Sequence, residues 1–351
     1  MQWRRHLVAV VFLMAPLVGC SDETTPASSG PSTGLMDGGL SSLLDAGAPT
    51  GFSELGHLTK ISGDFWFTEG PVWDPAKSVL YFTDVNVPMS DGGIGAIYTL
   101  TLPNSISVLA QPSGGADGLA LDTQQNLVVA GYASRSLWLL RGKGQVTTLA
   151  PCLDDAGSCY RGQTLNTPDD VAVRSDGSLY FTDPTFGQNL SSGRFTLSAA
   201  QGVYRLTQDG VLHLEDSSSG GPNGINFSPD EKTLYVSYTT SASIAKFTVA
   251  ADGSLSNKTT FATALAPDSM CVDAEGNLYV ATLLGLSIFD PTGRALGSIP
   301  IGGDVVTNCA FGGPDQKTLF ITSHSLLSPA KNSSSISKIE GMPVAGIPGR
   351  N

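Results

Sequence analysis

Charge is scarce in this chain and one sign of it scarcer: 14% of the 351 residues are charged, with 19 Lys or Arg against 31 Asp or Glu, for a formal charge of −12. Beyond Arg4-Arg5 there is no cluster of Lys or Arg to neutralise phosphates, which excludes nucleic acid as a partner. The same acidity disfavours adhesion to anionic lipid by charge alone. The four histidines and five cysteines contain no Cys-x-x-Cys pair and no His/Cys cluster, so nothing suggests a zinc site. Outside the first twenty residues no apolar run approaches a membrane span, and no long stretch repeats its apolar residues every 3.6 positions. Helical architectures are therefore excluded.

The chain opens with Arg4 and Arg5, an apolar run from Leu7 to Leu17 too short to cross a bilayer, and Leu17-Val-Gly-Cys20. These residues resemble a lipoprotein signal, with residues 1–19 removed and Cys20 carrying lipid. The expectation is an exported cell-envelope lipoprotein, facing the outer membrane or periplasm, that touches the membrane only through that anchor. Loss of Arg4 and Arg5 takes the charge to −14. Residues 20–51 are rich in Ser, Thr, Pro, Gly and Asp without apolar periodicity and read as a disordered tether. Cys152 and Cys159 flank a polar loop, which in an exported chain favours a local disulfide. Cys271 and Cys309 stand within apolar strand patterns and read as inert buried thiols.

The rest of the chain repeats. Six times, a polar oxygen-bearing residue precedes a short apolar strand by ten or eleven positions: Glu69 before Leu80, Asp117 before Leu127, Asp169 before Leu179, Asn223 before Leu234, Asp268 before Leu278 and Asn308 before Leu319. Those leucines lie 41 to 55 residues apart, and the segments between them read as short strands joined by Asp-Gly-type turns. A repeat of this length predicts a propeller. The expected fold is all-β: a six-bladed β-propeller of four-stranded antiparallel blades over residues 52–345, with a short tail at 346–351. Leu55–Ile61 and Ser335–Ile339 are expected to meet in the last sheet and close the ring.

Six equivalent positions on six blades become one ring around the axis, here four carboxylates and two amides. Crowded, desolvated carboxylates must either take up protons or hold a cation. An all-oxygen set selects a hard ion, and Ca²⁺ accepts such a cage more readily than Mg²⁺. The alternative is that Asp and Asn merely form the local turns that start each inner strand. Glu69 favours the cation, because glutamate is not a turn-forming residue.

Phe67-Thr-Glu-Gly-Pro-Val-Trp73, Leu165-Asn-Thr-Pro-Asp-Asp-Val171 with Ser178-Leu-Tyr-Phe-Thr-Asp-Pro184, Pro222-Asn-Gly224, Pro267-Asp-Ser-Met-Cys-Val-Asp273 and Asn308-Cys-Ala-Phe-Gly-Gly313 resemble the SMP-30/gluconolactonase family. That resemblance implies a six-bladed propeller with a central divalent metal, usually Ca²⁺, with Zn²⁺, Mn²⁺ or Mg²⁺ as the other candidates. Matched motif by motif, it implies Glu69, Asp169, Asn223 and Asp268 as metal ligands. It further implies hydrolysis of a lactone or related ester, in which the metal polarises the carbonyl for attack by water. Asp268 and Asp169 are then the catalytic candidates, Asp268 as the base that takes the proton from water. Asp117, Tyr132, Arg135 and Asn308 are the candidates for contact with a small-molecule substrate, and the chain is expected to be a monomer.

Departures from the family pattern define further expectations. Asp169 stands where the family usually has Asn, and adds a carboxylate that would tighten a cation while dulling its Lewis acidity. Asp117 also replaces an Asn, and Tyr132 occupies a place where relatives show a Glu-His pair. Arg135 reads either as a contact for an anionic substrate or as a surface ion pair. His324 reads as a solvated loop residue near the channel mouth. No Gly-x-Ser-x-Gly elbow stands within the repeated region, so Ser-His-Asp chemistry is disfavoured. Two other functions remain open at this point: phosphotriester hydrolysis at the same metal, and a non-catalytic binding module with a structural calcium.

Overall fold

In the computed structural model of the chain, residues 57–85, 95–150, 165–186, 200–302, 304–325 and 331–349 are described. Cys20, Cys152 and Cys159, and with them the lipidation and the loop disulfide, lie outside the described residues.

Among the described residues, twenty-four strands form six four-stranded antiparallel sheets. The first blade is β2 (Thr68–Asp74), β3 (Val79–Asp84), β4 (Ala96–Thr101) and β5 (Ser105–Ala110). Blades two to five follow the same order: β6 (Ala116–Leu121) to β9 (Gln145–Ala150), β10 (Val171–Val173) to β13 (Leu212–Asp216), β14 (Pro222–Phe227) to β17 (Leu255–Thr263), and β18 (Met270–Val272) to β21 (Ala295–Ile299). The sixth is composite: β22 (Val305–Gly312), β23 (Thr318–His324) and β24 (Ser334–Ile339) are completed by β1 (Thr59–Phe65) from the other end of the domain. The expected closure is thus observed, and it removes the exposed edges an open ring would leave. Inner strands β2, β6, β10, β14, β18 and β22 pack against one another in a closed cycle.

The apolar runs reflect where this core lies. Six clusters of buried side chains fill the six spaces between neighbouring blades. In β7 (Leu127–Gly131), Leu127 and Val129 face the first blade while Val128 and Ala130 face the third. Both faces of an inner sheet are therefore dry, so its strands read as continuous apolar runs with no polar alternation. Each fully buried Leu or Phe in these layers stabilises the fold by roughly 1.5–3 kcal/mol.

One sequence expectation is corrected here. Cys271 and Cys309 are not free thiols: they form a disulfide, 38 residues apart in sequence with Cα atoms 5.7 Å apart. Cys271 belongs to β18 and Cys309 to β22, and the bond lies in the layer between blades five and six. The apolar pattern marks both as buried, but their proximity depends on two inner strands that meet only when the ring is assembled.

Candidate functional site

Each of the six oxygen-bearing residues sits on or just ahead of an innermost strand. Glu69 lies in β2, Asp117 in β6, Asn223 in β14 and Asn308 in β22, while Asp169 and Asp268 stand two residues before β10 and β18. The four that lie within strands do so at irregularities: pairing register shifts between Glu69 and Val72, Ala116 and Leu119, Pro222 and Ile225, and Val306 and Asn308. A bulge re-aims the side chain it carries. In these four blades that break turns one polar residue out of the apolar layers.

The ring is knit together by the repeat itself. In three blades the residue three positions after the leucine of the second strand donates its hydroxyl to the main-chain carbonyl of the next blade's ring residue: Thr83 to Asp117 at 2.9 Å, Thr182 to Asn223, and Ser237 to Asp268 at 2.6 Å. Glycine permits the close approach. A Cβ on Gly70, which has φ +47°, would lie 2.2 Å from the Asp117 carbonyl oxygen. On Gly118 it would lie 2.5 Å from Asp170 Oδ1 and 2.7 Å from the Asp169 carbonyl oxygen, and Gly118 N donates to that same carbonyl at 2.7 Å.

The structure brings the ring carboxylates into one electrostatic unit. Burial pushes the pKa values of Glu69, Asp117, Asp169 and Asp268 well above the carboxylate range, and their mutual repulsion adds to the shift. Glu69 feels Asp268, Asp117 feels Asp169, Glu69 and Asp268, and Asp268 feels Asp169. The amides are partners: Asn308 Nδ2 donates to Glu69 Oε2 at 3.2 Å, and the Asn223 side chain hydrogen-bonds the Asp268 carboxylate. Asn223 Nδ2 also meets Thr239 Oγ1 at 3.1 Å, whereas Asn223 Oδ1 is buried without a partner.

Among the described residues, no three Asp, Glu, His or Cys side chains are gathered closely enough to hold a metal ion. The donor chemistry nevertheless fits a hard cation. An orphaned amide oxygen and carboxylates whose ionised forms burial disfavours are the groups a divalent ion would satisfy. The Asn223 and Asn308 amide N–H groups now answer part of that demand.

The candidate substrate contacts divide. Tyr132 follows β7, and its buried hydroxyl has no partner; it faces Asp117 and Asp169, which with burial push its pKa far above the usual phenol value. It is a hydrogen-bond donor aimed into the acidic ring. Arg135 lies just before β8 (Ser136–Arg141), where its Nε donates to the carbonyls of Leu165 at 2.8 Å and Asn166 at 3.1 Å. That group serves the main chain leading to Asp169. His324 is not a solvated loop residue: it ends β23, its ring centroid 4.6 Å from that of Phe67, and burial lowers its pKa.

Three residues of the site escaped sequence reasoning. Asp84 and Asp183, the last residues of the two Leu-Tyr-Phe-Thr-Asp strands, are clamps. Asp84 accepts the N–H groups of Trp66 at 3.0 Å and Phe67 at 2.8 Å, and Asp183 those of Asn166 at 2.8 Å and Thr167 at 2.9 Å. Each clamp holds the chain two residues ahead of a ring carboxylate, Glu69 or Asp169. The shared motif was the available signal. Burial raises Asp183 to about 7 despite these donors. Asp170 is also buried and held near 6: its carboxylate accepts Val171 N at 2.8 Å and Ile225 N at 3.3 Å, tying blade three to blade four beneath the ring.

A cavity of about 20 Å³ is lined by Ala120, Val173, Phe227 and Gly349 among others, so Gly349 lies beside the ends of β6, β10 and β14 away from the ring residues.

Comparison with known proteins agrees with this architecture. Residues 67–325 match the SMP-30/gluconolactonase/LRE-like region. The chain is 30% identical over 316 residues to a gluconolactonase of Zymomonas mobilis, covering 82% of this chain and 83% of that protein. It is 25% identical over 267 residues to pentonolactonase XacC of Haloferax volcanii, covering 72% and 80%. The solved structure of a gluconolactonase from Xanthomonas campestris superposes with a TM-score of 0.69 at 31% identity, covering 81% of this chain and 89% of that one. With the matched region spanning all six ring residues, the chain belongs to the SMP-30/gluconolactonase/LRE-like family.

Proposed function

We propose that this protein is a cation-dependent lactonase that opens a polyhydroxylated lactone ring at the mouth of its propeller. The observation that carries the reading is a set of four buried, mutually repelling carboxylates, one of them beside an asparagine whose amide oxygen has no partner. The similarity to lactonases of two organisms, gluconolactonase and pentonolactonase by name, supports the lactone as substrate class.

Glu69, Asp169, Asn223 and Asp268 would hold the cation, with Ca²⁺ the best match to an all-oxygen set. Such an ion, when bound, supplies Lewis acidity to a carbonyl and lowers the pKa of water. Asp268 would take the proton from the attacking water and pass it to the ring oxygen as the acyl C–O bond breaks, giving the open hydroxy acid. Asp169 would offset part of the cation's charge. Tyr132 donates its unpartnered hydroxyl to a ring or hydroxyl oxygen of the substrate, and Asp117 accepts from substrate hydroxyls. Asn308 holds Glu69 in place through its amide.

Hydrolysis of gluconolactone and of a pentonolactone, followed by acid release with the purified chain, tests this. Turnover should disappear with chelator and return with Ca²⁺, with Mg²⁺, Mn²⁺ and Zn²⁺ as comparisons. Turnover indifferent to chelator would remove the cation from the mechanism. Tight Ca²⁺ binding with no turnover of lactones or phosphotriesters would instead support a binding module, a reading favoured by the extra carboxylate of Asp169. The envelope location through lipid on Cys20 belongs to the same proposal; metabolic labelling with a palmitate analogue, lost in C20A, tests it.

A further inference from the structure

The Cys271–Cys309 disulfide lies where the ring residues of blades five and six are anchored. Cys271 follows Asp268 by three residues, and Cys309 follows Asn308 directly. Asn308 Oδ1 accepts Cys309 N at 2.7 Å while its Nδ2 donates to Glu69 Oε2 at 3.2 Å. Its orientation is therefore set by the backbone of the bonded cysteine. Strands β18 and β22 belong to different sheets and share no ladder; Ser269 N to Thr307 O at 3.1 Å joins them, and Thr307 Oγ1 passes the link to the Thr68 carbonyl at 2.8 Å. Ser269 adjoins Asp268, and Thr68 adjoins Glu69. The sulfur bridge thus spans a path that runs from Asp268 through Thr307 to Glu69.

We infer that the Cys271–Cys309 disulfide is a positioning device for the central site: it fixes the separation of Asp268 from the Asn308–Glu69 pair. Strands held only by side-chain packing and a few hydrogen bonds breathe against each other, whereas a covalent bond at 5.7 Å between Cα atoms does not. Support around ligating groups changes metal affinity even without touching the metal. Both sulfurs are fully buried in the interblade layer, so the bond acts as a standing constraint shielded from solutes. A buried disulfide also matches the oxidising compartment implied by an export signal.

The test has an arm that does not depend on the proposed function. Peptide mapping of the full chain without reductant should recover residues 271 and 309 linked; recovery as two free thiols overturns the inference. The chain folded under reductant, and the variant C271V/C309A, which fills most of the sulfur volume without the bond, are then compared with the oxidised protein. In cation-free buffer, amide exchange should accelerate in β2, β18 and β22, with the other inner strands unchanged. Calcium affinity by calorimetry should fall on the order of tenfold or more. Unchanged exchange and affinity, or acceleration spread evenly over all six blades, would mean the bond serves stability alone. If neither protein folds, the reverse pair C271A/C309V supplies the same comparison. If the oxidised chain binds no cation, the proposed function falls while the exchange result still decides this inference.

Discussion

Replacing Asp183 by alanine separates two opposed effects of one buried carboxylate. Its oxygens accept Asn166 N at 2.8 and 2.9 Å, Thr167 N at 2.9 Å and Asn166 Nδ2 at 3.1 Å. Alanine strands two buried main-chain donors, which at about 1–3 kcal/mol each destabilises the fold by roughly 2–6 kcal/mol. Against this, burial raises the folded pKa to about 7 from an ordinary 3.8. Between those values the folded state keeps a proton that the unfolded chain has released, so the group's stabilisation is complete below the unfolded pKa and wanes as pH rises toward 7. At about 1.4 kcal/mol per unit, wild type loses about 2–3 kcal/mol from this group between pH 5 and pH 8. D183A has no such loss. The destabilisation by D183A should therefore be larger at pH 5 than at pH 8 by about that amount, read from urea unfolding followed by tryptophan fluorescence. An equal penalty at both pH values, or a larger one at pH 8, would show that the carboxylate is ionised throughout and that its donors outweigh burial.

Asn223→Ala removes the orphaned oxygen and should lower calcium affinity by about tenfold to a hundredfold in calorimetry, while loss of its amide donor to Thr239 and Asp268 destabilises the cation-free protein by about 1–3 kcal/mol. Tyr132→Phe deletes one donor worth about 0.5–1.5 kcal/mol; KM for a hydroxylated lactone should rise by roughly twofold to tenfold, with little change for a lactone lacking ring hydroxyls. Gly118→Ala forces a Cβ to within 2.5 Å of Asp170 Oδ1 and should destabilise by about 1–3 kcal/mol in the same unfolding assay. A ring with four carboxylates should reject anionic substrates: kcat/KM for a neutral lactone should exceed that for its uronate or phosphorylated counterpart, and D117N should narrow the gap.

Strand positions were legible because each inner strand buries both faces, so Leu80-Tyr-Phe and Leu179-Tyr-Phe stand out as apolar runs at a fixed distance behind a polar residue. Ring closure by β1 and β24 followed from the need to cover edges. The buried pairings were not legible. Nothing in the spacing of Cys271 and Cys309 marks them as neighbours, and the Thr-Asp ends of two strands read as strand termini until the chain ahead of Glu69 and Asp169 came back to them. His324 reads as a loop residue because Phe67, the ring it packs against, lies in the link between β1 and β2, far away in sequence.

By itself the sequence determined the six-fold repeat, the all-β architecture and the identity of the oxygens that line the axis, since these depend on local patterning and on residues equivalent by period. Only the tertiary structure decided which of those oxygens repel, which are answered by an amide, and which carboxylates hold the backbone in place. Those properties belong to pairs of residues on different blades, and separations between blades are set when six packed layers close into one ring.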